Sequence, residues 1–321
     1  MQKLNNKAFT LLELSIVLLI ISVVMGGVMV VFNQSLEQKQ TDETKVKMAA
    51  IQKALLDYRR AFSRIPCPAD VTQLVDATSN NYYGIEAANN GTCIGGTPAA
   101  NFSIAAITYT GTTTTSSKVV TTLSTVTGLS AGTLVSGTGI PAGTTIASVD
   151  SVSQITLDTE ATASNVGTTI TRNSIVGGMV PTKTLRLPDD YGIDGWGRRI
   201  MYMVDVNMTA AAGAANIPVT DSSTSRIAVK DLTGATKTTS AVYLLLSHGK
   251  NGHGGYGRSG GSARLANYIS ADLNELTNCH CNSSAVATAF ALDFVQKIGT
   301  NGAFDDLVIY GTRADLSSLS E

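Results

Sequence analysis

The most continuous hydrophobic pattern in the chain runs from Leu14 to Phe32, and no charged residue interrupts it. This run is close to the roughly 20 residues that a membrane-spanning helix needs. Lysines precede it at positions 3 and 7, so the positive-inside rule predicts a cytosolic N-terminus. One carboxylate, that of Glu13, stands at the edge of the run, where it costs about 2.5 kcal/mol or more without a partner. The pattern predicts a membrane helix whose single carboxylate has a function.

After the apolar run, the pattern changes to that of an amphipathic helix over residues 33–64, which contain no proline. Apolar residues recur there at spacings of three and four, which predicts one buried helix face. The residues of this face are Met48, Ile51, Leu55, Tyr58 and Phe62. Pro66 and Pro68 then end the helix. We predict one continuous helix over 9–64, with 9–32 in the membrane.

The residues at the start of the apolar run read Lys7-Ala8-Phe9-Thr10-Leu11-Leu12-Glu13-Leu14. They closely resemble the class III signal of type IV pilins and pseudopilins, in which a prepilin peptidase cuts before the apolar run. The resemblance implies a leader at 1–8, a cut between Ala8 and Phe9, and N-methylation of Phe9. The family usually has glycine before the cut, so Ala8 is a departure from its pattern.

Glu13 becomes the fifth residue of the processed chain, as the family pattern requires. Removal of the leader creates a charged amine at Phe9, and in a bilayer both this amine and the carboxylate need partners. The resemblance implies that the Glu13 carboxylate of one subunit pairs with the amine of its neighbour during assembly. A buried pair of this kind sets register more reliably than it adds stability.

The rest of the chain is predicted to be a β-rich head, so the expected fold class is α+β: the long helix packed on an antiparallel sheet. The head covers 65–100 and 175–321, and the segment 101–174 is predicted to be an inserted all-β module. Short β-branched runs separated by glycine turns carry this prediction, and the run Gln154 to Leu157 is one of them. Residues 134–157 resemble a module of phage tail-fibre and surface proteins. The insertion is either a spacer or a surface-binding unit.

Two segments of the head are similar to type II secretion pseudopilins. One is the turn Asp194-Gly195-Trp196-Gly197, and the other is the run from Ser247 to Gly252 that follows a predicted strand. The resemblance is therefore strong at the N-terminus and weak in the head.

The cysteines of the head predict disulfide bonds, because an even number on the far side of a membrane helix lies in an oxidising compartment. They are Cys67, Cys93, Cys279 and Cys281. Cys279 and Cys281 are too close in sequence to pair easily. The alternatives are two bridges between the early and the late pair, or Cys67–Cys93 with a second, partly strained bridge.

Other groups that carry chemistry have weaker patterns. Cys279-His280-Cys281 with His248 or His253 is an alternative zinc site, although tetrahedral ligation by a C-x-C is uncommon. Residues 252–257 match G-x-G-x-x-G, but no helix pattern follows to hold a phosphate. Acidic residues in predicted turns suit calcium, which related pseudopilins bind: Asp189, Asp190, Asp194, Asp305 and Asp306. The prediction is nevertheless that the chain has no cofactor and no metal site.

The expected function rests on the prepilin-like residues at the N-terminus. We expect no enzyme, since no pattern of nucleophile and base is present, and no nucleic-acid binding, since the formal net charge is −1. The expectation is a prepilin-like subunit of the inner membrane, single-pass, with its head in the periplasm or on an extracellular filament. Its partners are the prepilin peptidase and other pilin or pseudopilin subunits. It enters a type IV pilus or a type II secretion pseudopilus as a minor or tip subunit; the alternative is an adhesin-like anchored ectodomain that does not assemble.

Overall fold

The structure is a computed structural model, and it describes most of the helix and the head. The described residues are 11–73, 83–89, 92–93, 103–104, 107–126, 129, 131, 135–141, 144–172, 175–205, 208–209, 227–261, 263–266, 272–281, 293–297 and 304–317. Of residues 24–33, only the backbone is described. The predicted leader and the cleavage position, Ala8 and Phe9, lie outside these residues.

Helices and strands alternate irregularly along the described chain. The helices are α1 (Leu11–Phe62), α2 (Leu273–Cys279) and α3 (Arg313–Ser317), with a 3-10 helix at Asp189–Gly192. The strands are β1 (Ala88–Asn89), β2 (Thr92–Cys93), β3 (Ser103–Ile104), β4 (Ile107–Thr113), β5 (Val119–Val120), β6 (Val135–Gly137), β7 (Ile146–Ser151), β8 (Gln154–Leu157), β9 (Asn165–Arg172), β10 (Ile175–Met179), β11 (Met201–Asp205), β12 (Ile227–Lys230), β13 (Thr236–Ser247), β14 (Asp293–Val295) and β15 (Leu307–Thr312).

Helix α1 has 52 residues and is about 78 Å long at 1.5 Å per residue. Its predicted apolar face is confirmed at four positions, which are buried in the core against the sheet: Met48, Ile51, Leu55 and Tyr58. The prediction is wrong for Phe62, which is 52% exposed. Phe62 is the last residue of the helix and lies against the Tyr58 ring, with 4.4 Å between the ring centroids, instead of entering the core.

No helix among the described residues is both long and apolar enough to cross a membrane. The predicted span over 9–32 therefore stays a prediction.

The head is built on a large sheet, of which the described residues form seven strands in the order β14-β12-β13-β11-β10-β3, with β15 also paired to β13. One face of this sheet packs on α1, and the other holds a second apolar cluster. The predicted antiparallel arrangement holds for the pairs along this path except β12–β14, which is parallel. The α+β class is thus confirmed, with one parallel pair at the edge.

The described part of 107–172 forms a separate β unit with its own apolar core, which includes Tyr109, Leu123, Ile155 and Ile170. Strands β4, β9 and β6 make one three-stranded sheet there, and β5, β8 and β7 make another. Strand β3 instead pairs with β10 of the large sheet. The separate unit therefore lies between β3 and β10, two adjacent strands of the head.

Candidate functional site

The first described turns of α1 present an apolar surface. Ten large apolar side chains between Leu11 and Val23 are exposed, by 48% to 88% of their area. Glu13 lies in the first described turn of the helix and is itself exposed. A helix that is apolar on all sides is normally buried in a core, a membrane or an assembly. The predicted site residue Glu13 thus stands at the edge of a surface that needs to be covered.

The second half of α1 is attached to the head by a turn at Asp194. The Asp194 carboxylate accepts hydrogen bonds from the backbone N–H of Trp196 at 3.0 Å and of Arg198 at 2.9 Å. Its other oxygen accepts from the Ser247 hydroxyl at 2.7 Å. Burial raises the pKa of Asp194 despite these bonds. The carboxylate therefore organises the turn, and its oxygens are occupied by hydrogen bonds rather than aimed at a cation.

Side chains of α1 meet this turn directly. The Lys47 ammonium donates to the carbonyl oxygen of Ile193 at 3.0 Å and pairs with Glu43 at 2.8 Å. One helical turn earlier, the hydroxyl of Thr44 accepts from the N–H of Gly195 at 2.9 Å. Closer to the N-terminus of the helix, Glu37 forms an ion pair with Lys250 of the head. The helix is thus fixed to the head from residue 37 onwards by polar contacts as well as by its apolar face.

The end of α1 is held by a carboxylate that the sequence reasoning missed. Glu86 accepts two hydrogen bonds from the Arg64 guanidinium, at 2.7 and 2.8 Å. It also accepts from the backbone N–H of Cys67 at 2.9 Å and from the Tyr58 hydroxyl at 3.1 Å. Burial alone would raise the pKa of Glu86, but the bonds from Arg64 and Cys67 outweigh it and lower the pKa. No periodic or motif signal marks Glu86, because its partners come together only in the fold.

Two disulfides are present in the described residues. Cys67–Cys93 lies beside the end of α1, with a Cα–Cα distance of 5.4 Å. The other joins Cys279 to Cys281, which the sequence reasoning regarded as too close to pair easily. His280 explains this pair, because it adopts the left-handed conformation with φ of 45° after the last residue of α2. The reversal brings the two Cα atoms to 5.1 Å, within the range that disulfides require.

The acidic residues considered as calcium ligands do not form a group of three or more among the described residues. Asp189 and Asp190 lie on the 3-10 helix, and Asp194 serves the turn described above. Asp305 and Asp306 lie elsewhere, beside the loop that follows β13. Asp305 accepts from the N–H of Asn251 at 2.7 Å, and Asp306 accepts from the Asn278 amide at 2.9 Å.

Beneath the loop after β13 lies a buried polar layer. The Asn251 amide donates to Glu275 of α2 at 2.6 Å, which joins the loop to that helix. Burial lowers the pKa of His248 to about 3 and raises that of Asp306 well above its usual range. His248 Nδ1 and the Asp306 carboxylate are 3.8 Å apart, and burial shifts the pKa of each group toward its uncharged form.

The glycines of 252–257 let this loop pack closely on α2 and on the arginine of the Asp194 turn. Gly254 has a φ of +79°, and a Cβ there would lie 2.7 Å from the Cβ of Cys279. A side chain at Gly252 would likewise overlap the guanidinium of Arg198. Gly252 and Gly254 therefore serve contacts within the protein, whereas a Cβ at Gly257 would meet nothing within 4 Å.

Among the described residues, one group of side chains could hold a metal ion: His253, Cys279 and Cys281. The three side chains are buried, and their donor atoms all lie within 4.8 Å of one another. Of the histidines considered from the sequence, His253 belongs to the group. His280 instead lies with its ring edge-on to Phe294, 4.7 Å between centroids.

One family model matches the N-terminus of the chain. Residues 3–29 match the family model of the prokaryotic N-terminal methylation motif. This match supports a type IV pilin-like prepilin signal, with a prepilin peptidase and other pilin subunits as partners in general, and it suggests a membrane-anchored or pilus-associated protein. Searches of curated proteins and of solved structures gave no match. The tail-fibre resemblance of the β unit receives no support.

Proposed function

We propose that the chain is a prepilin-like subunit that is inserted in the inner membrane, cut between Ala8 and Phe9, and assembled into a type IV pilus or a type II secretion pseudopilus. One observation carries the proposal. The exposed apolar surface of 11–23 contains Glu13 in its first turn and falls within the matched segment 3–29. Moving such a surface out of water, into a membrane or between packed helices, gains about 25 cal/mol per Å² of apolar area.

Glu13 supplies the register of the assembly in this proposal. Cleavage leaves an amine at Phe9, four residues before Glu13, and methylation of Phe9 keeps that amine basic. The carboxylate of one subunit then meets the amine of the next inside an apolar bundle, where an unpaired charge is expensive. Processing therefore precedes assembly, because the partner charge does not exist in the uncut chain.

The β unit of 107–172 favours a minor or tip position over a densely packed major one. It joins the head between β3 and β10 and carries its own core, so it adds bulk without being part of the large sheet. Such bulk would crowd helical neighbours along a filament. At a tip, or in a subunit present in few copies, it has room.

The proposal is tested by comparing Glu13→Ala with Ser15→Ala, a matched control on the same exposed segment. Full-length chains are expressed with the assembly system of the source cell, and the sheared filament or pseudopilus fraction is quantified. Glu13→Ala should reduce incorporation by more than about tenfold, since breaking a buried ion pair costs about 3–5 kcal/mol. Ser15→Ala should assemble normally.

Mass spectrometry of the native protein provides a second measurement, the identity and methylation of its N-terminal residue. The expected N-terminus is methylated Phe9 in the wild type and in both variants. Incorporation of Glu13→Ala at the wild-type level would contradict the pairing role, and an intact leader would contradict the processing step. A processed chain that stays in the membrane and never enters an assembly would favour the anchored, adhesin-like alternative.

A further inference from the structure

We propose that Cys279, Cys281 and His253 form a zinc site when the Cys279–Cys281 disulfide is reduced. The site is separate from the N-terminal helix, so it does not rest on the proposed assembly. Two thiolates and an imidazole are the donor set that suits Zn²⁺.

The spacing of the donors supports this site. His253 Nε2 lies 3.5 Å from the Cys281 sulfur. Zinc binds sulfur at about 2.3 Å and nitrogen at about 2.0–2.1 Å, and a tetrahedral angle then separates the two donors by about 3.6 Å. The observed distance therefore accommodates a shared ion with little movement of His253. Opening the disulfide supplies the second sulfur.

The loop that carries His253 is already fixed in place against α2. The backbone N–H of His253 donates to the Asn251 side-chain oxygen at 2.9 Å. Asn251 in turn is held by Glu275 at 2.6 Å and by Asp305 at 2.7 Å. Because Glu275 and Cys279 lie on the same short helix, these bonds set the distance from the imidazole to the sulfurs. Such supporting contacts are what a metal site needs beyond its ligands.

The surroundings also suit sulfur ligands. The three side chains are no more than 5% exposed, so water does not compete freely for the ion. The Arg264 guanidinium lies 3.7 Å from the Cys279 sulfur and also donates to the Cys279 carbonyl oxygen. A cation at this distance stabilises thiolate over thiol, and metals bind the thiolate. Three protein ligands leave one tetrahedral position for a water molecule.

The site forms in two steps, reduction of the disulfide and then binding of Zn²⁺. A small dithiol reductant transfers two electrons to the disulfide; it becomes oxidised to its own disulfide, and the two cysteine sulfurs take up two protons. Zn²⁺ then binds both sulfurs as thiolates and releases those two protons, while the lone pair of His253 Nε2 completes the set.

Metal titration of the full-length chain in detergent micelles tests the site. The parent protein is the wild-type chain, and alkylation with peptide mass spectrometry reports on Cys279 and Cys281 separately from Cys67 and Cys93. After reduction with a phosphine and its removal under anaerobic conditions, one Zn²⁺ should bind per chain, and none before reduction. Co²⁺ should give the intense visible bands of a tetrahedral site together with thiolate charge transfer.

Variants separate this site from adventitious thiol binding. His253→Gln should weaken Zn²⁺ binding by more than about tenfold. His280→Asn removes the other imidazole but keeps a residue type that tolerates the left-handed backbone, so it should leave binding unchanged. Bound zinc should also protect Cys279 and Cys281 from alkylation, as read by peptide mass spectrometry. The proposal is overturned if the reduced parent binds neither metal, if Co²⁺ gives only a pale octahedral spectrum, or if His253→Gln binds zinc as tightly as the parent.

Discussion

The backbone N–H of Gly195 donates to the hydroxyl of Thr44 on α1, at 2.9 Å, across 151 residues of sequence. At this contact the backbone of the Asp194 turn meets a side chain of helix α1. A Cβ on Gly195 would lie 2.8 Å from the Cα of Gln40. Position 195 therefore needs glycine, because any larger side chain would overlap the backbone of α1.

Gly195→Ala should loosen the attachment of the helix, because a methyl group placed against backbone forces the two elements apart. The expected loss is about 1–3 kcal/mol of unfolding free energy. Hydrogen exchange should rise in α1 around residues 40–47. Gly257→Ala is the matched control, since a Cβ there meets nothing within 4 Å. Equal effects of the two substitutions would contradict the close-packing explanation.

Glu86→Gln should destabilise the end of α1 by about 2–4 kcal/mol, because it leaves the half-buried Arg64 without its carboxylate. The lowered pKa of Glu86 gives the direction of the pH dependence. Its stabilisation is present above the unfolded-state pKa and is lost as pH falls through the folded-state pKa. Thermal melts of wild type and Glu86→Gln should therefore converge in acid.

Asp57→Asn provides the control for this measurement. Asp57 pairs with Lys53 at 3.0 Å, but the two side chains are 48% and 80% exposed. An exposed pair of this kind contributes less than about 1 kcal/mol. A loss as large as that of Glu86→Gln would show that burial is not what makes the Arg64 contact important.

The two disulfides should differ in their contribution to stability. Cys67–Cys93 closes a sequence separation of 26 residues, whereas Cys279–Cys281 closes a separation of 2. Loop-closure entropy then predicts a loss of about 3–4 kcal/mol for the Cys67→Ser/Cys93→Ser variant and under about 2 kcal/mol for Cys279→Ser/Cys281→Ser. Denaturant unfolding of the oxidised proteins measures both. A reversed order would contradict the entropic account.

Asp305 should make the head less stable as the pH rises. Burial raises the pKa of Asp305 to about 6. The nearby Glu275 carboxylate also raises this pKa, and the hydrogen bond from the N–H of Asn251 lowers it. The folded state thus binds its proton more tightly than the unfolded state, for which the pKa is about 3.9. The stabilisation is present below pH 4 and is lost as pH rises through 6.

Asp305→Asn should abolish this dependence, because the amide keeps an acceptor for Asn251 and carries no charge. The variant should gain about 2 kcal/mol relative to wild type between pH 4 and pH 7. Thermal midpoints measured at both pH values give the comparison. An equal difference at both would show that the carboxyl ionises without cost.

Several local features could be predicted from the sequence. The spacing of Met48, Ile51 and Leu55 predicted the buried face of α1, and the strand predicted from Gln154 to Leu157 has the same bounds as β8. These features depend on neighbours a few residues away, and the periodicity of side chains records them directly. Phe62 has the same spacing but is exposed, because the helix ends there.

The ligands of the candidate zinc site could not be predicted from the sequence. The sequence suggested Cys279-His280-Cys281 with either His248 or His253, and it disfavoured a bond between Cys279 and Cys281. The left-handed backbone of His280 joined the cysteines, and the loop held by Asn251 selected His253. Neither feature has a periodic pattern.

The sequence by itself determined helix α1, its apolar surface, the α+β class and the prepilin-type pattern around Glu13, since each depends on residues that are close together in the chain. Tertiary structure alone decided the disulfide pairing, the parallel β12–β14 pair, the role of Glu86 and the meeting of His253 with the sulfurs. The physical reason is that these contacts join residues far apart in sequence, or need a backbone reversal, and only the packing of the whole head selects among the pairings that the composition allows.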